Sequence, residues 1–316
     1  MNVSMMKASV GVHCSASNRE PFLYSVHGFT VASDFFVSEL RPGSGRPDVR
    51  IRAGTVPQHL EAPQVRGVLF EAARDQYLLR IAGVAGYLAR AGDEIIVEPA
   101  DGADPSDVCA LLFGSPFSAL LHQRGVLLLH AGGVVGAKGA VLIAGHSGRG
   151  KSTAVAGLAK RGYWVLADDA AVVTHRPESD SLLVEPGGQQ IKLWLDAAHR
   201  LGHETEGLDR VRSGLEKYAV PVWTAASEAT ALAAIFVLET HNQRQVEVDV
   251  LEHSAKFEAL RTYTRIVRAM DGLGNHVAHF RIASAVAARV PIVRIRRPRG
   301  LDSQDEVLAL IEPALR

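Results

Sequence analysis

The chain has 316 residues, of which 47% are hydrophobic, and its 34 lysines and arginines balance 34 aspartates and glutamates. A chain of this length is expected to form two domains, and zero net charge gives no bulk electrostatic reason to expect a nucleic-acid or membrane partner. The two isolated cysteines, Cys14 and Cys109, make neither a disulfide scaffold nor a zinc site. They favour a reduced, cytoplasmic protein.

The N-terminal part of the sequence predicts a small β-rich domain over residues 21–103. Residues 1–20 are small and polar without a period, so we expect them to be frayed and to contain no signal peptide. No apolar run in the chain is long enough for a membrane span. From residue 22 onward, short aromatic and β-branched runs predict strands. These runs are Leu23–Val31, which Gly28 breaks, then Val49–Arg52, Tyr77–Ile81, Gly86–Leu88 and Glu94–Val97.

Two short helices are expected next. Pro105 begins the first, with Ser106 as a candidate N-cap. Ser115 is the candidate cap of the second, and Pro116 takes its first helical position. The second helix is expected to stop at Gly125.

Two apolar runs then predict an antiparallel hairpin. The runs are Val126–His130 and Ala140–Ala144, and glycine-containing segments join them. The second run leads directly into a glycine-rich loop. A nucleotide-binding fold usually has an all-parallel sheet at this point, so the hairpin indicates a mixed sheet instead.

The rest of the chain predicts an α/β catalytic domain over residues 104–316. Helical periods and apolar runs alternate along it. The expected elements are a helix over Ser152–Arg161, a strand over Tyr163–Ala167 that Ala170–Thr174 can continue, a loop over Val184–Gly188, a strand over Leu232–Leu238, a helix over Phe257–Met270 and a strand over Pro291–Ile295.

The loop matches the phosphate-binding pattern G-x-x-x-x-G-K-[ST]. Its glycines let backbone N–H groups turn inward around phosphate oxygens, and the following helix directs its positive end at the anion. Lys151 is expected to reach the β- and γ-phosphates of ATP, and the Ser152 hydroxyl to bind Mg²⁺. The strand before the loop and the helix after it argue against a chance match. The loop reads Gly145-His146-Ser147-Gly148-Arg149-Gly150-Lys151-Ser152, and Thr153 follows.

Two adjacent aspartates are the second candidate feature. Asp168 and Asp169 end the next predicted strand, 17 residues beyond Lys151, and the carboxyl ends of neighbouring strands meet at one crevice. One carboxylate can hold Mg²⁺ and the other can take the proton of an attacking hydroxyl. We favour Asp168 for the metal and Asp169 as the base, and the reverse assignment stays open. A plain NTPase with one metal-binding aspartate is the alternative.

Several other polar side chains have a functional and a structural interpretation. His130 ends an apolar strand and either lies beside the phosphates or is a satisfied structural histidine. Lys192 and Lys217 either neutralise charge on the transferring phosphoryl group or are solvated surface lysines. A cluster of C-terminal arginines protects an exposed edge strand or docks a carboxylate group. Its members are Arg294, Arg296, Arg297 and Arg299.

These segments, taken in order, resemble the catalytic domain of HPr kinase/phosphorylase. The resemblance implies a P-loop kinase fold related to phosphoenolpyruvate carboxykinase, with a mixed sheet, that phosphorylates a serine hydroxyl on a protein. It also implies that His130 belongs to the active site, that the loop holds ATP, and that Asp168 and Asp169 are the metal and base pair. The matching segments are Leu127–Gly133, Gly139–Ile143, Gly150–Ser152, Arg161–Tyr163 and Ala167–Asp169.

The whole chain is more similar to a divergent branch of these kinases that tailors ribosomally made peptides, notably lasso-peptide precursors. The shared segments include Tyr24–Gly28 and Leu121–Gly125. This resemblance implies that the substrate is a precursor peptide, phosphorylated on its C-terminal serine hydroxyl. The alternatives are an HPr-type kinase/phosphorylase, a small-molecule hydroxyl kinase and a non-catalytic nucleotide-binding regulator. Self-association into a homo-oligomer is left open.

Overall fold

The computed structural model describes residues 20–212, 214–222, 226–299 and 303–316. Residues 1–19, which carry most of the predicted frayed N-terminus, lie outside the described residues. The described chain forms two large β-sheets, a small two-stranded sheet and helices that cover them. The fold is therefore mixed α/β, as the sequence predicts.

The first large sheet contains the strands predicted for the N-terminal part. Burial alternates along it: Val49 and Ile51 are buried, whereas Arg50 and Arg52 are exposed. The predicted break at Gly28 is confirmed as a hairpin turn. In spatial order, the strands of the described chain are β3 (Arg41–Pro42), β1 (Phe22–Val26), β2 (Phe29–Ser33), β4 (Val49–Ala53), β9 (Glu94–Pro99), β8 (Ala85–Arg90), β7 (Gln76–Ile81), β6 (Phe70–Ala73) and β5 (Val65–Arg66).

Two helices, α1 (Pro105–Leu112) and α2 (Ser115–Gln123), confirm the predicted pair. They pack against the first sheet, because Phe117 of α2 shares a hydrophobic core with Tyr87 of β8. The hydroxyl of Tyr87 also donates a hydrogen bond to the carbonyl of Val108 at 2.9 Å. The first sheet and these helices thus form one packed unit.

The caps of the two helices differ from the predicted ones. Asp104 caps α1, because its carboxylate accepts the N–H of Ser106 at 2.8 Å. In α2, Ser115 is already helical and Gly114 is the cap position. A short polar side chain can accept a helical N–H from more than one position, so the sequence alone leaves such boundaries uncertain by a residue or two.

The second large sheet is mixed, as predicted. The described strands are, in spatial order, β10 (Leu127–Leu129), β14 (Ala171–Arg176), β15 (Ser181–Glu185), β18 (Thr230–His241), β12 (Gly139–Ala144), β11 (Ala131–Gly136) and β13 (Trp164–Ala167), with β20 (Ile292–Pro298) beside β18 and β19 (Glu247–Val250) beside β20. β12 is parallel to β18, and β18 is parallel to β20, whereas the other neighbours are antiparallel. The predicted strands over residues 163–167, 232–238 and 291–295 are confirmed.

The remaining elements flank this sheet. In chain order they are α3 (Lys151–Lys160), β16 (Gln190–Trp194), α4 (Leu195–Arg200), β17 (Lys217–Pro221), α5 (His253–Thr262), α6 (Val267–Leu273), α7 (His276–Arg289) and α8 (Gln304–Ile311). The helix predicted after the glycine-rich loop is confirmed as α3, but the sequence did not predict α4, α7, α8 or the two-stranded ribbon of β16 and β17. No helix among the described residues is both long and apolar enough to span a membrane.

The predicted hairpin exists, but its first strand is different. β11 and β12 form the hairpin, whereas the run Val126–His130 supplies β10, which pairs with β14. Gly132 therefore lies inside a strand and not in the turn. Glycine is needed at this position in the strand because a Cβ there would lie 2.6 Å from a methyl group of Val155 on α3.

Three further predictions are corrected. Ala170–Thr174 does not continue β13, because Asp169 has a left-handed φ of 67° and the chain turns there into β14. Val184 belongs to strand β15 and not to a loop. The helix predicted over 257–270 is split into α5 and α6. Tertiary pairing causes this split, since Arg265 donates its N–H to the carbonyl of Leu128 at 3.0 Å.

The central strand β12 is expected to contribute strongly to stability. Leu142 is fully buried, so Leu142→Ala should reduce the free energy of unfolding by about 2–5 kcal/mol. Leu69 is 53% exposed, so the control Leu69→Ala should cost less than about 0.5 kcal/mol. Urea denaturation measures both, and equal losses would contradict the packing of β12.

Candidate functional site

The predicted phosphate-binding loop connects β12 to α3. Gly150 precedes the helix with a left-handed φ of 90°, and a Cβ at Gly145 would lie 2.6 Å from the carbonyl oxygen of Leu238. Glycine is therefore required at both ends of the loop. The first N–H groups of α3 have no partner within the helix, so its N-terminus is suited to bind an anion.

A cavity of about 360 Å³ opens beside the loop. It is strongly basic, because six lysines and arginines line it against two aspartates, counted over the described residues. The predicted Lys192 and Lys217 both line it. The charged lining residues are Arg149, Lys151, Asp169, Lys192, Asp196, Lys217, Arg297 and Arg299.

Lys151 is buried at the start of α3, with 6% of its surface exposed. Its Nζ donates to His130 Nε2 at 2.9 Å and to the carbonyl of His146 at 3.1 Å. Burial lowers the pKa of Lys151 to about 8, although Asp169 and Asp168 act in the opposite direction. The ammonium group therefore lies inside the cavity, and these are its two hydrogen bonds to described residues.

His130 lies between Lys151 and Asp169 and lines the cavity. Because the Lys151 ammonium donates to Nε2, the proton of the neutral ring is on Nδ1. Nδ1 then donates to the backbone carbonyl of Asp169 at 3.0 Å. Burial, followed by the nearby Lys151 charge, lowers the pKa of His130. The ring is therefore neutral at pH 7 and connects the loop lysine to the acidic pair.

Asp168 points back toward the loop. One carboxylate oxygen accepts from the Ser152 hydroxyl at 2.8 Å and the other from the N–H of Lys192 at 2.7 Å. Burial raises the pKa of Asp168, against the effect of its hydrogen bond from Lys192. Within the described parts of the chain, no group of three or more His, Cys, Asp and Glu side chains could hold a metal ion. The adjacent Ser152 and Asp168 oxygens nevertheless fit Mg²⁺, which usually takes one or two protein oxygens together with phosphate oxygens and water.

Asp169 faces the cavity, and its partner is Arg265, which no sequence pattern predicts. The Arg265 guanidinium donates to the Asp169 carboxylate at 2.7 Å and to its backbone carbonyl at 2.8 Å. Burial would raise the pKa of Asp169, but Arg265 and then His130 outweigh it and hold the pKa well below its usual range. Asp169 is therefore ionised. Arg265 is 96 residues away in sequence, and no local pattern marks it.

Three of the four C-terminal arginines lie on β20 and point to its two faces, whereas Arg299 follows the strand and lines the cavity. Arg294 and Arg296 pair with Asp249 and Glu247 of β19, at 3.5 and 3.2 Å. Because β20 pairs with β18 on one side and with β19 on the other, the expectation that β20 is an exposed edge strand is wrong. Arg297 instead lines the cavity and is buried, with its Nη2 donating to a carbonyl of the loop at 3.1 Å.

Comparisons with known proteins add little to this geometry. No family model matches the chain, and no curated protein matches it. Among solved structures, the HPr(Ser) kinase/phosphatase from Coxiella burnetii matches with a TM-score of 0.30 and 12% identity, over 59% of this chain and 88% of that one. A likeness at this level carries no functional inference. The similarity to peptide-tailoring kinases stays a prediction.

The lowered pKa of Lys151 is directly measurable. We expect amine-selective labelling of Lys151, followed by mass spectrometry, to show a pH midpoint near 8. Asp169→Asn should move that midpoint lower, because the Asp169 charge favours the ammonium form. A midpoint at the ordinary lysine value of 10.5 would contradict the buried position of the side chain.

Proposed function

We propose that this protein is an ATP-dependent kinase that transfers the γ-phosphoryl group to a serine hydroxyl of a peptide. One observation carries the proposal: a glycine-lined loop and a buried lysine face an ionised carboxylate across one basic cavity. Lys151 and Asp169 are linked through His130, so the three groups form a connected unit. A phosphate-binding group facing a proton acceptor is the minimum that phosphoryl transfer requires.

The loop and its lysine would bind the nucleotide. Backbone N–H groups at the start of α3 would hold phosphate oxygens, and the Lys151 ammonium would neutralise charge on the transferring group. Ser152 and Asp168 would hold Mg²⁺, which supplies charge neutralisation when bound. Arg297 lies beside Gly150 and adds a further positive charge near the phosphates.

Asp169 would orient the acceptor. Its carboxylate is ionised, lines the cavity and is held by Arg265, so it can accept a hydrogen bond from a serine hydroxyl. In the transfer, the hydroxyl oxygen bonds to the γ-phosphorus, the bond from that phosphorus to the bridging oxygen breaks, and ADP leaves. The hydroxyl proton passes to Asp169 late in the reaction, because the transition state is loose and the hydroxyl becomes acidic only as the new bond forms.

The β16–β17 ribbon is the best candidate to contact the acceptor. Lys192 and Trp194 lie on one face of β16, because side chains alternate along a strand, and both line the cavity. Lys217 lies opposite Trp194 on β17. Two cations and an exposed indole beside Asp169 suit an extended peptide. The resemblance noted above supports the C-terminal serine of a lasso-type precursor as the acceptor.

Asp169→Asn is expected to reduce phosphoryl transfer by about 10²–10⁴-fold, because a neutral amide cannot take the proton. The dissociation constant for Mg·ATP should stay within about threefold, since the loop is intact. The control Asp196→Asn changes another aspartate of the same cavity and should leave the rate within about threefold. Lys151→Ala should abolish nucleotide binding. Equal rates in the two aspartate variants would contradict the role of Asp169.

The acceptor is tested by intact mass spectrometry. A precursor peptide ending in serine, incubated with the protein and Mg·ATP, should gain one phosphoryl group at that serine. The same peptide ending in alanine is the control and should gain none. Saturable Mg·ATP binding with no gain of mass on the peptide, on HPr or on free serine would favour a nucleotide-binding regulator.

A further inference from the structure

The tip of the β1–β2 hairpin is an internal contact of the molecule. The N–H of His27 donates to the carbonyl of Pro186 at 2.8 Å, just after β15. The His27 side chain is nearly fully buried, and its ring lies 6.3 Å from that of Phe117 on α2. Burial, with the nearby Arg265 charge, lowers the pKa of His27 to about 4. The hairpin tip is therefore a buried, uncharged contact between the first sheet and the segment that follows β15.

Gly28 at this tip leaves no room for a side chain. Its φ is 79°, and a Cβ there would lie 2.8 Å from Oε2 of Glu185. Glu185 is itself buried, and its other oxygen accepts from the Thr174 hydroxyl at 2.9 Å. The carboxylate cannot move aside freely. The distance between the hairpin tip and the end of β15 is thus set by the absence of a Cβ.

The segment that contacts the hairpin tip also contacts Asp168. The N–H of Gly187 donates to the carbonyl of Leu166 in β13 at 2.8 Å, and the N–H of Gln189 donates to the carbonyl of Glu39 at 3.2 Å. Three residues later, the N–H of Lys192 holds the Asp168 carboxylate. The first sheet and its loops therefore hold the segment that presents this N–H group.

A second path from the first sheet leads to Asp169. Ser118 of α2 is buried, and its hydroxyl accepts from Nε of Arg265 at 3.2 Å while it donates to the carbonyl of Gly114 at 2.6 Å. His122 of α2 donates from Nε2 to the carbonyl of Arg265 at 2.8 Å. The same Arg265 holds Asp169. α2 packs on the first sheet, so this sheet also determines where the guanidinium lies.

We propose that the first sheet is a positioning element of the transfer step, which acts on both aspartates through the hairpin tip and α2. His27, Gly28 and Ser118 are then positioning residues. Among the described residues that line the basic cavity, none of the three occurs, so they do not belong to the nucleotide site. The inference rests on the proposed kinase function and extends it: displacement of the hairpin tip lowers turnover and, because Asp168 is the proposed Mg²⁺ ligand, raises the Mg²⁺ concentration that turnover requires.

The test compares two glycines of the same sheet. Gly83, in the turn between β7 and β8, has a φ of 72° and no atom within 4 Å of a built Cβ, so Gly83→Ala has the backbone strain of Gly28→Ala without the clash. With Mg·ATP as donor and water as acceptor, Gly28→Ala should slow the formation of ADP by about 10- to 100-fold. Gly83→Ala should stay within about twofold of the wild-type rate. Gly28→Ala should also raise the Mg²⁺ concentration for half-maximal turnover, whereas ATP binding without Mg²⁺ should stay within about twofold in both variants.

A second variant keeps the test valid if Gly28→Ala fails to fold. Ser118→Ala removes the acceptor for Arg265 and should slow the formation of ADP about tenfold, with the KM for ATP unchanged. Ser118→Thr keeps a hydroxyl at this position and should restore the rate. Equal rates for the two glycine variants, or a wild-type rate for Ser118→Ala, would overturn the positioning inference alone. A wild-type protein that does not bind Mg·ATP would overturn the proposed function and, with it, this inference.

Discussion

A buried ammonium group at the start of a helix is the constraint on which the rest of the site depends. Lys151 is almost fully buried, and burying an unpaired charge is costly. Its hydrogen bonds to His130 and to the loop carbonyl offset part of that cost, and the aspartates offset more. The arrangement holds a positive charge in a basic cavity, where a polyphosphate would complete its coordination.

The acidic pair shows how two identical neighbours acquire different properties. Asp168 is buried against Ser152, and its pKa is raised, whereas Arg265 holds the pKa of Asp169 below its usual range. Environments that separate the pKa values of two titratable groups often mark sites of acid–base chemistry. The left-handed backbone at Asp169 turns the second carboxylate away from the first, so the two side chains can serve different partners.

Contacts of the first sheet and of α2 reach the surroundings of the acidic pair. The hairpin tip at His27 and Gly28 meets the segment after β15, and Ser118 meets Arg265. Because packed cores transmit small displacements, a shift of the hairpin tip or of α2 can change the positions of Asp168 and Asp169.

The sequence by itself determined the local features: the glycine-rich loop, the helix after it, most strands and the mixed character of the second sheet. These follow from spacing and residue type, which act over a few residues. Only the tertiary structure decided the pairing of β10 with β14, the split between α5 and α6, and the ion pair of Arg265 with Asp169. Each of these joins segments far apart in the chain. Such contacts depend on how whole sheets and helices pack, which no short pattern of residues contains.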